Sequence, residues 1–223
     1  MKERLSHEAM ALRATSEFRD GDYVNLGYGI PNLCAGCVPP DKEVIFHAQH
    51  GVLGYGRLLL EGEGHRVDFD HVDAGIRPFE PKPGLVWFDM ALSFDMIRGG
   101  HLDAAVLGAL EVSEQGDLAN WTRTTAAGAG IGGSMDLAVG AKRVIVLMEH
   151  TTRKGEPRIV KRCRFPLTGR RCVHLIITDI TVLEVKEKGL VLKEYAPGWT
   201  VEEIRSLTGA SFEVSEDVGV ITL

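Results

Sequence analysis

The stretch Tyr23-Val24-Asn25-Leu26-Gly27-Tyr28-Gly29-Ile30-Pro31 decides the fold class. Its first four residues read as a short buried strand, and the glycines at 27 and 29 turn the chain sharply at the strand's end. Pro31 then suits the first turn of a helix, because its missing N–H is one that a helix start leaves unpaired anyway. A strand, a glycine turn and a helix in that order are the unit of an α/β sheet.

Working outward, Ser6 to Phe18 places Met10, Ala11, Leu12, Ala14 and Phe18 at helical spacing, and Asp20-Gly21-Asp22 stops that helix before the strand. The helix with Pro31 in its first turn is expected to run through Leu33 to Val38, where Pro39-Pro40-Asp41 breaks it. Val44-Ile45-Phe46 is the next strand, and it runs into Ala48-Gln49-His50-Gly51 with further glycines at 54 and 56. A polar, glycine-rich segment just past a strand end is where open α/β sheets bind ligands. Residues 57–84 mix charge, glycine and proline and read as a long irregular connection with one short strand at most. Helix returns over Met90 to Ile97, and Ala104 to Leu110 and Arg143 to Met148 are apolar runs of strand type. Between them lies a second glycine-rich loop, Ala126 to Gly133. Short strands at Val173 to Thr178, Val182 to Val185 and Leu190 to Lys193 follow, and Thr200 with Glu203 forms a capping box. The expected architecture is one α/β domain over residues 1–223, an open mixed and largely parallel sheet with flanking helices.

Composition narrows the function classes. A net charge of −6 offers no broad field for a polyanion such as nucleic acid. The basic run Arg153, Lys154, Arg158, Lys161, Arg162, Arg164, Arg170 and Arg171 reads first as a solvated, partly charge-paired face, and otherwise as a site for an anionic ligand or acidic partner. No apolar stretch has the length of a membrane span or signal peptide, so a cytoplasmic chain is expected. The four cysteines read as reduced thiols, and Cys34-x-x-Cys37 lacks the companions of a zinc site. No metal is expected.

Chemistry centres on the two glycine loops, Gly27 to Gly29 and Gly128 to Gly133, whose amides can face an anion or a developing oxyanion without side-chain obstruction. Beside them stand His47, Gln49, His50, His101, Asn120, Glu149 and His150. The dinucleotide and phosphate-loop glycine spacings, the nucleophile-elbow serine and the metal-binding histidine pairs are all absent. From the residues alone, the chain is an α/β protein with a ligand site near two glycine loops.

The segment Asn25 to Pro31 resembles the N-L-G-x-G-I-P opening of the beta subunits of class I coenzyme A transferases, the 3-oxoacid and short fatty acid type. Ser93 to Asp103 is similar to that family's S-F-x-M-I-R-G-G-H-h-D, Gly116 to Trp121 to its G-D-L-A-N-W, and Gly130 to Leu137 to its G-M-G-G-A-M-D-L. Further similarities lie at Gly140 to Val144, Met148 to Thr151, Pro166 to Gly169 and Ala196 to Glu203, in the family's order. The resemblance implies a coenzyme A thioester as substrate, no tightly bound cofactor, and a hetero-oligomer with an alpha-type subunit. It also implies that loop residues Gly132, Gly133, Ser134 and Met135 polarise the thioester carbonyl and hold CoA. Gly27, Gly29, His47, Gly51 and Asn120 would shape the substrate pocket.

The family's nucleophile is the glutamate of an S-E-N-G motif, and the matching residues here are Ala48, Gln49, His50 and Gly51. An amide cannot serve as the carboxylate nucleophile of a mixed-anhydride and thioester sequence. Gln49 and His50 are therefore the candidate reacting residues of a site whose standard transfer chemistry is in doubt. Two alternatives stand beside a transferase: an acyl-CoA decarboxylase, hydrolase or lyase using the retained loop, with His50 as acid or base, and a non-catalytic acyl-CoA-binding subunit.

Overall fold

The computed structural model describes residues 2–59, 62–122 and 130–223. Its strands are β1 (Tyr23–Leu26), β2 (Ile45–Ala48), β3 (Val52–Leu53), β4 (Val86–Trp87), β5 (Ala104–Leu107), β6 (Glu111–Ser113), β7 (Leu118–Ala119), β8 (Val144–Leu147), β9 (Ile159–Val160), β10 (Leu175–Ile177), β11 (Thr181–Lys186), β12 (Gly189–Tyr195) and β13 (Phe212–Val220). The α-helices are α1 (His7–Thr15), α2 (Met90–Arg98), α3 (Ser134–Gly140) and α4 (Val201–Leu207), with 3-10 helices at Ile30–Gly36 and Gly64–Arg66.

Among the described residues, ten strands form one open sheet in the order β13-β12-β11-β10-β8-β5-β1-β2-β3-β4. The inner run β10-β8-β5-β1-β2 is parallel throughout, and antiparallel pairs flank it on both sides. The expected α/β mixed sheet is thus observed. Parallel inner strands are covered on both faces, so their side chains divide by alternation. Ala105, Leu107, Val144, Val146 and Ile176 join one core with Ile97 of α2, Leu137 of α3 and Val112, Leu118 and Ile159 of a small sheet. Ala104, Val106, Ile145, Leu147, Leu175 and Ile177 join the other, with Met10, Ala11 and Ala14 of α1 and Cys34. The small sheet, β7-β6-β9, is absent from the expected architecture; its strands of two or three residues are too short to show a period.

Several boundaries differ from expectation for identifiable reasons. The helix expected from Pro31 through Val38 is a 3-10 helix over Ile30–Gly36; Gly29 at φ 95° turns the chain into it and Pro31 lies in its first turn, as expected. α1 ends at Thr15, three residues early, where the Ser16 hydroxyl donates to Arg13 O instead of continuing the helix. The described part of the 57–84 connection contains a 3-10 turn and isolated bridges, Leu58 with Phe79 and Val72 with Pro78, while Arg57 and Arg66 share Glu63 and Glu80. β13 is an additional strand, outside the expected set. It lies at the sheet edge, where Phe212, Val214, Val218 and Val220 alternate with polar residues and glycine, and only Glu216 breaks the apolar row. The capping box at Thr200 and Glu203 is formed at the start of α4.

The basic run is in part charge-paired. Arg164 meets the buried Glu111 carboxylate at 2.6 Å and Arg158 meets Glu149 at 3.3 Å. All four cysteines are free thiols. Burial raises the Cys34 thiol well above its ordinary value. Among the described residues no group of three or more His, Cys, Asp or Glu side chains could hold a metal ion, and no helix is long and apolar enough to cross a membrane.

Candidate active site

Because β1, β2, β5 and β8 run parallel, the segments that leave their carboxyl ends gather along one sheet edge. Gly27 to Gly29 leaves β1, Gln49 and His50 leave β2, Gly108 and Ala109 leave β5, and Met148 to His150 leaves β8. β2 ends at buried Ala48 and passes into a tight turn, Gln49 to Gly51, before the chain returns as β3. Gly51 makes this turn at φ 112°, and a Cβ there would lie 2.0 Å from Phe88 O, so only glycine fits.

The second glycine loop closes on this turn. A Cβ on buried Gly133 would lie 3.2 Å from Gln49 Cγ and 3.2 Å from Phe94 Cζ, so the loop's backbone rests directly against the Gln49 side chain. The expected loop begins at Ala126; residues 123–129, Gly128 included, lie outside the described residues. Gly132 is exposed at φ 55°, Gly133 precedes α3, and Ser134 begins it. The Ser134 N–H donates to Ile131 O at 3.3 Å, whereas the amides of the following first-turn residues have no intrahelical acceptor. Met135 is exposed. Asn120, at the end of β7, donates from Nδ2 to Ser134 Oγ at 3.4 Å and accepts from Thr168 Oγ1 at 2.6 Å. The structure therefore brings Gln49, Gly133, Ser134 and Asn120 into one neighbourhood.

Two polar atoms of the β2 turn are buried and unpartnered: Gln49 Oε1 and His50 Nδ1. His50 Nε2 lies 3.0 Å from Val72 O. A carbonyl can only accept, so Nε2 carries the proton and Nδ1 of the neutral ring presents its lone pair. That lone pair is a proton acceptor held in the turn beside Gln49.

His47 is the third residue of β2. It is fully buried and pairs in register with Asn25 of β1. Asn25 Nδ2 donates to His47 O at 3.0 Å and to His47 Nδ1 at 2.9 Å, while His47 Nε2 meets Ser93 Oγ of α2 at 3.0 Å. The carbonyl contact fixes the amide orientation, so Nδ1 accepts and Nε2–H donates. Burial, with a smaller contribution from His50, pushes the His47 imidazole down to about 4. Gly27 donates its N–H to Val106 O at 2.8 Å and so extends the β1–β5 contact, while Tyr28 is exposed and lies over Gly75. His150 is also fully buried, between Thr178 Oγ1 at 3.1 Å and Thr208 Oγ1 at 3.0 Å, and burial pushes it to about 4. It is a structural residue, and His101 is exposed.

Sequence reasoning overlooks Asp73 and Arg77, which touch the site from the irregular connection. Asp73 is buried and takes the Asn32 amide, and Arg77 Nη2 donates to Gly29 O at 3.3 Å. The Asp73-Ala74-Gly75 sequence is itself a turn signal, but nothing local shows which loops the turn will meet.

The sequence pattern of the coenzyme A transferase family matches residues 7–207. The B-type subunit of the probable succinyl-CoA:3-ketoacid coenzyme A transferase of Bacillus subtilis is 44% identical over 218 residues, covering 98% of this chain and 99% of that protein. Among solved structures, the acyl-CoA transferase YdiF apoenzyme from Escherichia coli O157:H7 aligns with a TM-score of 0.74 at 21% identity, over 100% of this chain and 44% of that one. The decarboxylase AibA/AibB aligns with a TM-score of 0.69 at 19% identity, over 98% of this chain and 90% of that one. Such structural likenesses establish a shared fold, and the sequence match establishes more: the chain belongs to the coenzyme A transferase family, as an enzyme subunit of the B type.

Proposed function

We propose that this chain is the B-type half of a two-subunit enzyme that acts on the coenzyme A thioester of a short 3-oxo acid, and that it activates the thioester carbonyl without forming a glutamyl-CoA intermediate. The substrate class and the alpha-type partner are drawn from the Bacillus subtilis relative. The observation that carries the mechanism is the β2 turn: Gln49 rests against Gly133, and His50 beside it keeps a buried, unpaired Nδ1.

In this reading the loop at Gly132 to Met135 supplies amides to the thioester oxygen, and Gln49 orients a reactant by hydrogen bonding. His50 Nδ1 takes a proton from water as the water oxygen adds to the thioester carbon. The carbon–sulfur bond then breaks, and the CoA thiolate leaves with the proton that His50 returns. The same carbonyl polarisation would serve loss of CO₂ from an acyl group that carries a carboxylate on C2, since the electron pair of the broken carbon–carbon bond passes into the thioester enolate, which then takes a proton at C2. A localisation in the cytoplasm accords with a CoA-dependent role.

The test is to assemble the chain with its alpha-type partner and offer short 3-oxoacyl-, branched and dicarboxylic acyl-CoAs, with and without an acceptor acid. Free CoA, CO₂ and new thioesters are followed separately. Acceptor-independent free CoA or CO₂ that disappears in His50→Ala supports the proposal. New acyl-CoA formed only with the acceptor present would establish ordinary transfer instead. Binding without any product would point to a non-catalytic acyl-CoA-binding subunit.

A further inference from the structure

The turn from Val72 to Arg77 touches three segments of the site at once. Val72 O accepts the Nε2–H of His50 at 3.0 Å. Asp73, only 2% exposed, accepts from Gly75 N–H at 2.8 Å and Arg77 N–H at 2.9 Å through Oδ1, and from the Asn32 amide through Oδ2. Asn32 belongs to the 3-10 helix that leaves Gly29. The Arg77 guanidinium reaches Gly29 O at 3.3 Å, with its Nε 3.8 Å from Asp73 Oδ2. At the tip, Ile76 takes φ 60°, a conformation a β-branched residue holds only where the surrounding bonds over-determine it.

We infer that the Asp73–Arg77 turn is a positioning element for His50, fixing its Nε2–H tautomer and aiming Nδ1 at the reacting centre while tying Gly29 in place. The chemistry leaves one arrangement. A ring protonated at Nδ1 would set the Nε2 lone pair against the Val72 carbonyl, and both would lose their partner. Val72 is the residue before Asp73, so the carboxylate that closes the turn also sets where that carbonyl points. Asp73 and Arg77 touch no reacting atom and act through His50 and Gly29. The catalytic consequence rests on the role proposed above for His50; the positioning itself does not.

The experiment separates the two. In the ¹⁵N-labelled full chain, long-range nitrogen–proton correlation should show a His50 ring proton on Nε2 that exchanges slowly with water, assigned by its loss in His50→Gln. Asp73→Ala should broaden or abolish that signal. Asp73→Asn should retain it, because Oδ1 still accepts from the turn and Asn32 can rotate to present its unpartnered Oδ1 to the new amide. Should Asp73→Ala not fold, Asn32→Leu, which removes the donor to Oδ2, should weaken the protection. A wild-type ring protonated on Nδ1 or averaged by exchange would overturn the inference. So would full protection in a folded Asp73→Ala or, in its place, in Asn32→Leu. In the assembled two-subunit enzyme, Asp73→Ala should lower kcat by about tenfold to a hundredfold with KM changed by less than about threefold. If the ring proton behaves as stated but kcat does not fall, the positioning stands and the role of His50 in turnover is lost.

Discussion

Gly51 and Phe88 are locked together through their backbones: Phe88 donates its N–H to Gly51 O at 3.0 Å, and a Cβ on Gly51 would sit 2.0 Å from Phe88 O. This contact joins the turn that carries Gln49 and His50 to the start of α2, which carries Ser93 beneath His47. Gly51→Ala should therefore cost at least about 2 kcal/mol, from the left-handed backbone and the overlap together. Urea unfolding of the variant checks this, and a loss below about 0.5 kcal/mol would show that the turn relaxes freely.

The Asn25–His47–Ser93 chain makes a prediction in which the partners are coupled. Ser93→Ala should cost about 1–2 kcal/mol, because it strands the buried Nε2–H of His47. In a His47→Leu background the same change should cost less than about 0.5 kcal/mol, since the donor is gone. Equal costs in both backgrounds would mean that Ser93 matters for another reason.

Both buried histidines give stability a pH dependence whose sign is fixed by their depressed folded values. His47 and His150 are neutral in the fold until about pH 4, whereas the unfolded chain takes up these protons near 6.5. Stability is complete above about pH 6.5 and falls as the pH drops toward 4, by an amount on the order of 3 kcal/mol for each histidine. Carboxylates held low by partners, such as Glu17 with Arg13 and Arg143, add their own loss only below their ordinary range. Denaturant midpoints between pH 7 and 4.5 should thus report the histidines, including His174, which partial burial and Arg143 also hold down, and the slope should fall by somewhat less than half in a folded His150→Gln variant.

How much of this is legible in the sequence depends on how local each feature is. The strand and glycine turn at 23–29 announce themselves, because burial on both faces demands an apolar run and the turn demands glycine. The approach of Gly133 to Gln49 joins residues 84 positions apart, and only a family's ordered motifs hint at it. His47 looks like a pocket residue because it is a histidine two places from Gln49, yet its hydrogen bonds to Asn25 and Ser93 hold it fully buried within the sheet. β13 is legible as well, because Phe212, Val214, Val218 and Val220 alternate with polar residues; Glu216 in the apolar row and the net negative charge of the segment mask it. Asp73 and Arg77 escape because an irregular turn carries no period, and the turn's partners Asn32, His50 and Gly29 lie 22 to 48 positions away in the chain.

The identity of residue 49 yields the sharpest prediction. Glutamate and glutamine have nearly the same volume, so Gln49→Glu fits against Gly133 without new contacts. With His50→Asn it restores two of the three polar residues of the family motif, leaving Ala48 buried as it is. A carboxylate oxygen at this position can attack an acyl-CoA carbonyl and expel the CoA thiolate, giving a mixed anhydride. The thiolate can then attack the glutamyl carbonyl, releasing the acyl group as its carboxylate and leaving a glutamyl-CoA thioester. In the assembled two-subunit enzyme incubated with an acyl-CoA, mass spectrometry should find CoA attached to residue 49 of the double variant, and borohydride should remove it. The unmodified enzyme should carry no such adduct, because an amide offers no carboxylate oxygen to the carbonyl. CoA found on the native Gln49 would overturn the account of that residue as a hydrogen-bonding group. An absence of adduct in the double variant, with acyl-CoA binding intact, would show that the β2 turn no longer presents residue 49 to the thioester at all.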